Sequence, residues 1–420
     1  MANSSSISID ALRLSRNADS AASGDKVILG LVCILLFLAI NPFLALFLLA
    51  IVAVFRRIPM GVFIVSASTA FALFFFSRDL GIEWYLGSTD DVPDYIAIYH
   101  ETYGLSFTGL MDYFFESPNG HELLWSMPVW ALANLFDVSD STFVFLHYLA
   151  IFVAVFFALS TFSKRYLVPL VLVYFFLTPI SIDAISHIWR QQMAFSVILA
   201  GIGLYTVRRK RIGQWFIFLS PLVHISSLFF VMGFVTFKVI RANRGFDNKL
   251  KFSIALIVLL AAVPLVSSLA VSYLDALGLA RIMSYFEGTD ADVLRVYMLV
   301  GLYVIPMLAS FYLLENDDAN HLLMILSISV FTIVVGLPAS NGIYDRLLMS
   351  AIPFLGLYFY RCYFLNFSSK WHLPLLLLVF YTGAVRLYNP TLEQSGPMFF
   401  VAYGHALDPF MGVVKLLVNL

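Results

Sequence analysis

Charge is scarce in this sequence. Of its 420 residues only 12% are Asp, Glu, Lys or Arg, while 61% are hydrophobic. Soluble domains give about a quarter of their residues to those four types, so half that share leaves too little polar surface to cover a water-soluble globule. Neither sign dominates: the net charge is −1, which excludes the broad basic surface of a nucleic-acid-binding protein. Cysteine is nearly absent. Cys33 and Cys362 both sit in apolar context, so nothing points to a disulfide framework. Also missing are a Gly-rich phosphate loop and any Cys/His cluster with zinc spacing. That argues against ATP-driven transport by this chain alone, and neither a metal nor a cofactor is expected.

What the sequence has is length in its apolar runs. A bilayer helix needs about 20 apolar residues, because backbone groups in lipid must pair within the segment. An outer-membrane barrel would show about ten residues alternating apolar and polar, a pattern not found here. The expected fold is therefore all-α, a polytopic integral membrane protein with about 10–13 membrane segments. Residues 1–27 are polar and rich in Ser, Ala and Asp, without the layout of a cleaved signal, and read as a flexible cytoplasmic tail. Residues 28–420 read as a single transmembrane domain, with an external loop region at 78–120.

The runs differ in kind. The stretch 28–55 is broken at Asn41-Pro42 and 212–240 at Pro221 and His224. The segment 121–136 is short and amphipathic. Clear spans fall near 142–160, 166–182, 188–206, 252–272, 293–313, 321–337, 344–364 and 371–384, and the depth of the tail 396–419 is open. Basic clusters stay on the cytoplasmic side. They are Arg56-Arg57, Lys164-Arg165, Arg208 to Arg211, and Lys238 through Lys251. With all of them inside, 28–55 and 212–240 must each begin and end on that side, so each becomes a hairpin of short helices. The alternative is one or two extra single spans with a weaker charge bias.

The same scheme strands single arginines on the outer side: Arg78, Arg190, Arg281, Arg295, Arg346 and Arg386. Each alone can snorkel or pair with a neighbouring acid, as Arg78 with Asp79 or Arg346 with Asp345. As a set they suit a pyrophosphate or carboxylate site, since a guanidinium offers a rigid fork of donors and charge at membrane depth marks function. His187, Arg190 and Gln191, in Ser186-His187-Ile188-Trp189-Arg190-Gln191-Gln192, share one helical face. His224 suits proton transfer or a buried hydrogen bond, and a hairpin leaves its depth unresolved. In 78–120, Glu83, Trp84, Tyr85, Asp94, Tyr95, Tyr99, Glu101 and Tyr103 mix aromatics with carboxylates, which suits either sugar recognition or an interfacial belt.

Three segments carry a resemblance: Ser77-Arg78-Asp79-Leu80-Gly81-Ile82-Glu83-Trp84 leading into Asp94-Tyr95-Ile96-Ala97-Ile98-Tyr99; Trp189-Arg190-Gln191-Gln192-Met193-Ala194; and Pro221-Leu222-Val223-His224-Ile225-Ser226-Ser227. With the late Tyr344-Asp345-Arg346, they make the chain resemble bacterial polysaccharide polymerases of the Wzy type, in the branch called the EpsG family. The first segment departs from the usual Gly-x-Asp by offering Gly81-Ile82-Glu83. The resemblance implies a glycosyltransferase of GT-C-like architecture with an outward-facing cavity, multi-pass in the bacterial inner membrane, its active site facing the periplasm. Its donor and acceptor would be undecaprenyl-pyrophosphate-linked oligosaccharide repeat units, joined with release of undecaprenyl pyrophosphate. A polysaccharide chain-length regulator is the implied protein partner, beside membrane lipids.

In that reading Arg190, Arg281, Arg346 and Arg386, with Arg78, stabilise the leaving pyrophosphate, and Gln191 orients a phosphate or sugar hydroxyl. His224 is the base implied by the resemblance, and Glu83 and His187 are the alternatives by position. Three other readings stay open: an O-antigen ligase, whose large external loop would lie late rather than early; a non-enzymatic lipid-linked oligosaccharide transporter or flippase, favoured by inverted repeats; and a membrane acyltransferase, for which a His-Asp pair is not evident.

Overall fold

The computed structural model describes residues 60–76, 91–116, 122–162, 188–206, 209–256 and 318–336, with isolated positions at 258, 308, 311, 354, 357 and 358. Among them all regular structure is helical. The helices are α1 (Met60–Phe76), α2 (Asp91–Thr102), α3 (Phe107–Glu116), α4 (Leu123–Ala131), α5 (Asp140–Phe162), α6 (Trp189–Thr206), α7 (Lys210–Leu219), α8 (Leu228–Ala242) and α9 (Asp318–Gly336). The stretch 28–55, the spans 166–182 and 371–384, most of 252–272, 293–313 and 344–364, and the tail 396–419 lie outside the described residues.

Two of these segments, Asp140–Phe162 and Ile225–Ala242, are long and apolar enough to cross a membrane. Ser139 starts α5, its Oγ accepting the Thr142 N–H at 3.3 Å, and Asp140 places negative charge at the positive end of the helix dipole. The π-helical turn Leu132–Phe136 that ends α4 closes on Asp137, whose left-handed backbone (φ 46°) redirects the chain into α5.

The centre of the bundle is α6, packed between α5 and α7, with α1 on the far side of α5 and α8 on α9. Small residues set the closest approaches. A Cβ on Gly201 of α6 would stand 2.8 Å from the Gly213 carbonyl oxygen of α7, and one on Gly213 would run into the Gly201 carbonyl and the Tyr205 backbone. The two helices therefore meet backbone to backbone, the mode by which helices associate where the hydrophobic effect between them is absent. Gly233 of α8 instead makes room for side chains of α9, Ser329 and Leu326.

The broken run 212–240 is a hairpin. Helix α7 ends at Leu219, short 3₁₀ turns follow at Ser220–Leu222 and Ile225–Ser227, and α8 returns. Pro221 sits in the first of these turns, where its fixed φ is tolerated. Both ends gather at one place. Lys210 Nζ, opening α7, lies 5.7 Å from the Tyr205 ring, and Lys238 Nζ of α8 lies 5.5 Å from the same ring. Arg241 donates to Tyr205 Oη at 3.3 Å and pairs with Asp318 at 2.8 Å. Tyr205 is in the last turn of α6 and Arg190 in its first, about 22 Å apart at 1.5 Å per residue. The hairpin apex lies at the Arg190 end, away from the basic cluster.

Substituting Gly213→Leu is expected to prise α7 from α6 at a cost of about 1–3 kcal/mol or more. The thermal midpoint in detergent should fall clearly. Gly61→Ala, where an added methyl meets nothing within 4 Å, should leave it unchanged.

Candidate functional site

The polar stretch ahead of the bundle is folded. Helix α2 buries Val92, Tyr95, Tyr99 and Thr102, which recur three and four residues apart on one face. Tyr99 Oη donates to the Val138 carbonyl at 2.6 Å, and His100 pairs with Asp140 at 3.1 Å. Tyr113 of α3 donates to Glu101 at 2.9 Å. Tyr95 and Tyr99, read above among aromatics suited to sugars, are wall residues. Tyr103, 56% exposed in the turn after α2, stays open to solvent.

Tyr95 delivers this wall to the start of α6. Its ring stacks on Trp189 at 5.0 Å, and the other stacking partner of Trp189 is His147 of α5, also at 5.0 Å. Tyr148 meets Trp189 edge-on at 4.9 Å. With Trp189 fully buried, the next residue, Arg190, has a fixed origin. Its guanidinium carbon lies 5.4 Å from the rings of both Tyr95 and Trp125, within cation–π range.

A carboxylate completes the arrangement. Glu122, one residue ahead of α4, places Oε2 2.9 Å from Arg190 Nη1. Its other oxygen, Oε1, lies 3.5 Å from His224 Nε2, and the carboxylate also accepts the Ile225 backbone N–H. The pair is largely shielded, with the Glu122 side chain 8% exposed and that of Arg190 23%. Three separate stretches of chain thus converge on one carboxylate.

His224 stands at the hairpin apex in extended conformation (φ −157°), capping the turn Ile225–Ser227. Its Nδ1 accepts the Ser226 backbone N–H at 3.2 Å, and Ser226 Oγ lies 2.7 Å from the same nitrogen. An atom that accepts an N–H carries no proton of its own, so the neutral ring holds its proton on Nε2, toward Glu122.

Glu122 precedes a helix too short to span a bilayer, about 14 Å long at 1.5 Å per residue. Burial raises its carboxyl pKa, opposed by the Arg190 charge and by hydrogen bonds from Ile225 and Arg190; the net position is above the ordinary value. The Arg190 charge is the largest influence favouring the ionised form of this shielded carboxyl.

Of the residues singled out from sequence, Arg190 and His224 are brought together through Glu122, and Gln191 is buried on α6. Glu83, His187, Arg78, Arg281, Arg346 and Arg386 lie outside the described residues. Glu122 was not singled out. Its signal was an acid directly before the short apolar run Leu123–Ala131, at the positive end of that helix. The acyltransferase reading lacks an evident His-Asp pair; the acid beside His224, 3.5 Å away, is a glutamate, Glu122.

Comparison with known proteins gives one family match: the model described as the EpsG family covers residues 68–403, more than half of the chain. No curated protein and no solved structure matches.

The pH dependence of stability follows from Glu122. A carboxyl raised above its unfolded value of 4.5 contributes stability that is present at low pH and lost as pH rises through the folded value. Arg190→Gln removes the main opposing charge and widens that window. The thermal midpoint of this variant should fall more steeply than that of the unaltered protein as pH rises from about 4.5 toward neutrality; parallel profiles would contradict the coupling.

Proposed function

The chain belongs to the EpsG family, Wzy-type polymerase-like membrane proteins, and on that premise we propose that it polymerises lipid-linked oligosaccharide repeat units. The growing glycan passes from its undecaprenyl pyrophosphate carrier to the non-reducing-end sugar of an incoming unit, and undecaprenyl pyrophosphate leaves. The chain is multi-pass in the inner membrane, of GT-C-like architecture, with its site toward the periplasm.

The observation that carries this reading is the convergence of Arg190, Glu122 and His224 at the hairpin apex, opposite the basic cluster around Tyr205. Basic clusters favour the cytoplasmic side. With Lys210, Lys238 and Arg241 there, the other end of α6 faces outward, where flipped lipid-linked units arrive. A cation and a proton acceptor together meet the two demands of the reaction. Charge accumulates on the departing pyrophosphate, and a preorganised guanidinium stabilises it. The acceptor hydroxyl must lose its proton as it attacks, and a neutral imidazole at that site takes it.

Each group has a role. Glu122 holds His224 in the tautomer with a proton on Nε2 and stabilises the imidazolium that forms. Arg190 keeps Glu122 ionised and is the first cation of the pyrophosphate site, to which Arg78, Arg281, Arg346 and Arg386 contribute the rest. Gln191, Glu83 and His187 are further candidates for orienting sugar and phosphate. Trp125 Nε1, Ser126 Oγ and Ser227 Oγ are buried polar groups without a hydrogen-bond partner among the described residues; sugar hydroxyls and ordered water are the groups that would satisfy them. Exposed apolar side chains flank the apex, Leu222, Ile225 and Leu228 being 39%, 63% and 45% exposed, suited to lipid tails. Attack from the face opposite the pyrophosphate inverts the anomeric centre.

Deletion of the gene tests the reading. A polymerase mutant displays single capped repeat units on its surface, a ligase mutant accumulates lipid-linked polymer, and a flippase mutant exports neither. Complementation with Arg190→Ala or His224→Ala, at matched membrane levels, should lower polymer formation by about a hundredfold or more. Normal polymer from both variants would overturn the site assignment.

A further inference from the structure

The tautomer of His224 raises a question that the polymerase reading leaves open: which atom receives the acceptor's proton. Nε2 faces Glu122 Oε1 at 3.5 Å and already holds a proton. Nδ1 is the basic nitrogen, and Ser226 covers it twice, by its backbone N–H at 3.2 Å and its Oγ at 2.7 Å. Because the backbone N–H can only donate, the Nδ1 lone pair is an acceptor, and the Ser226 hydroxyl is arranged to donate to it as well. A hydroxyl that donates in this way presents its own lone pairs outward. Ser226 is partly buried and lies between well-exposed Ile225 and buried Ser227 at the hairpin apex, where a ligand entering past Ile225 would meet the hydroxyl.

We propose that Ser226 is a catalytic proton relay, the group through which the acceptor sugar hydroxyl reaches His224. This rests on the polymerase reading above. As the acceptor oxygen attacks, its proton passes to Ser226 Oγ, while the Ser226 proton passes to His224 Nδ1. The freed electron pair forms the bond to the donor's anomeric carbon. The bond from that carbon to the pyrophosphate oxygen breaks, and its electrons leave with undecaprenyl pyrophosphate. His224 ends as an imidazolium against the Glu122 carboxylate, and that proton later returns to solvent. Serine ends as it began. No co-reactant is consumed.

The chain Ser226–His224–Glu122–Arg190 runs from the open apex to the shielded start of α6. It has the order of a nucleophile, base and orienting acid. That order admits a different chemistry, in which Ser226 itself attacks and carries a covalent intermediate. The relay is favoured by polarity: the serine hydroxyl serves an acceptor that is itself a hydroxyl, in a reaction that already has an activated donor. A covalent route would add a second displacement and retain the anomeric configuration.

The experiment uses membranes containing the full chain and, as donor and acceptor, the lipid fraction extracted from the gene-deletion strain, with polymer length read on gels. Ser226→Ala should slow chain extension about tenfold or more, with donor KM little changed. Ser226→Thr, which keeps the hydroxyl, should recover most of the rate. The initial rate in mixtures of light and heavy water should follow a bowed curve in the unaltered protein, since two protons move, and a straight line in Ser226→Ala. A Ser226→Ala variant as fast as the unaltered protein, with His224→Ala inactive, overturns the relay and leaves the polymerase reading standing. A glycosyl or acyl adduct on Ser226, found by mass spectrometry, replaces the relay with a nucleophile. No extension by the unaltered protein overturns both.

Discussion

Glu122 and Arg190 meet at 2.9 Å in surroundings built mostly of aromatic rings. Neither charge is well placed alone. Removing one member of a shielded pair leaves the other uncompensated, at a typical cost of about 3–5 kcal/mol. The pair therefore requires its neighbours to be right. Trp189 must be wedged between Tyr95 and His147 for Arg190 to point at α4, and α4 must begin where it does for Glu122 to be there. The apex of the α7–α8 hairpin joins the same carboxylate through His224 and the Ile225 N–H. One ion pair fastens the helices before the bundle, the central helix and the hairpin to each other.

The hairpin gives that fastening a direction. Its two feet carry Lys210, Lys238 and Arg241 around Tyr205, and its apex carries His224 at the other end of α6. Gly201 and Gly213 let α7 lie on α6 closely enough to run beside it. A base and a cation at one end, with the basic residues at the other, is the arrangement a reaction on outward-facing lipid-linked sugars needs. The proposed chemistry rests on the membership of the EpsG family and on this geometry taken together.

Much of this was legible in the sequence, for physical reasons. Apolar runs near 142–160 and 188–206 had the length of helices, and α5 and α6 occupy them. Pro221 and the basic residues at both ends of 212–240 specified a hairpin, because a chain that returns its charges to one side must turn between them. The depth of His224 was unresolved, since hairpin height depends on how α7 packs on α6, and that is set by paired glycines rather than by apolar content. Helices α2 and α3 were hidden in a stretch read as a loop. The polar positions of α2 outnumber its buried ones, and burial is supplied to α2 by α4, α5 and Trp189 of α6 and to α3 by α4. Glu122 escaped notice because a single acid ahead of an apolar run is common; only its distance to two residues far along the chain gives it meaning.

On the proposed function, an anionic lipid carrier is handled at the Arg190 end of α6. A cryo-electron microscopy structure of the full chain in a nanodisc with undecaprenyl pyrophosphate tests it most directly. Pyrophosphate density is expected within hydrogen-bonding reach of Arg190, beside His224, with the lipid tail leaving past Ile225. Pyrophosphate seated instead among Lys210, Lys238 and Arg241, with the Glu122 cluster empty, would contradict it.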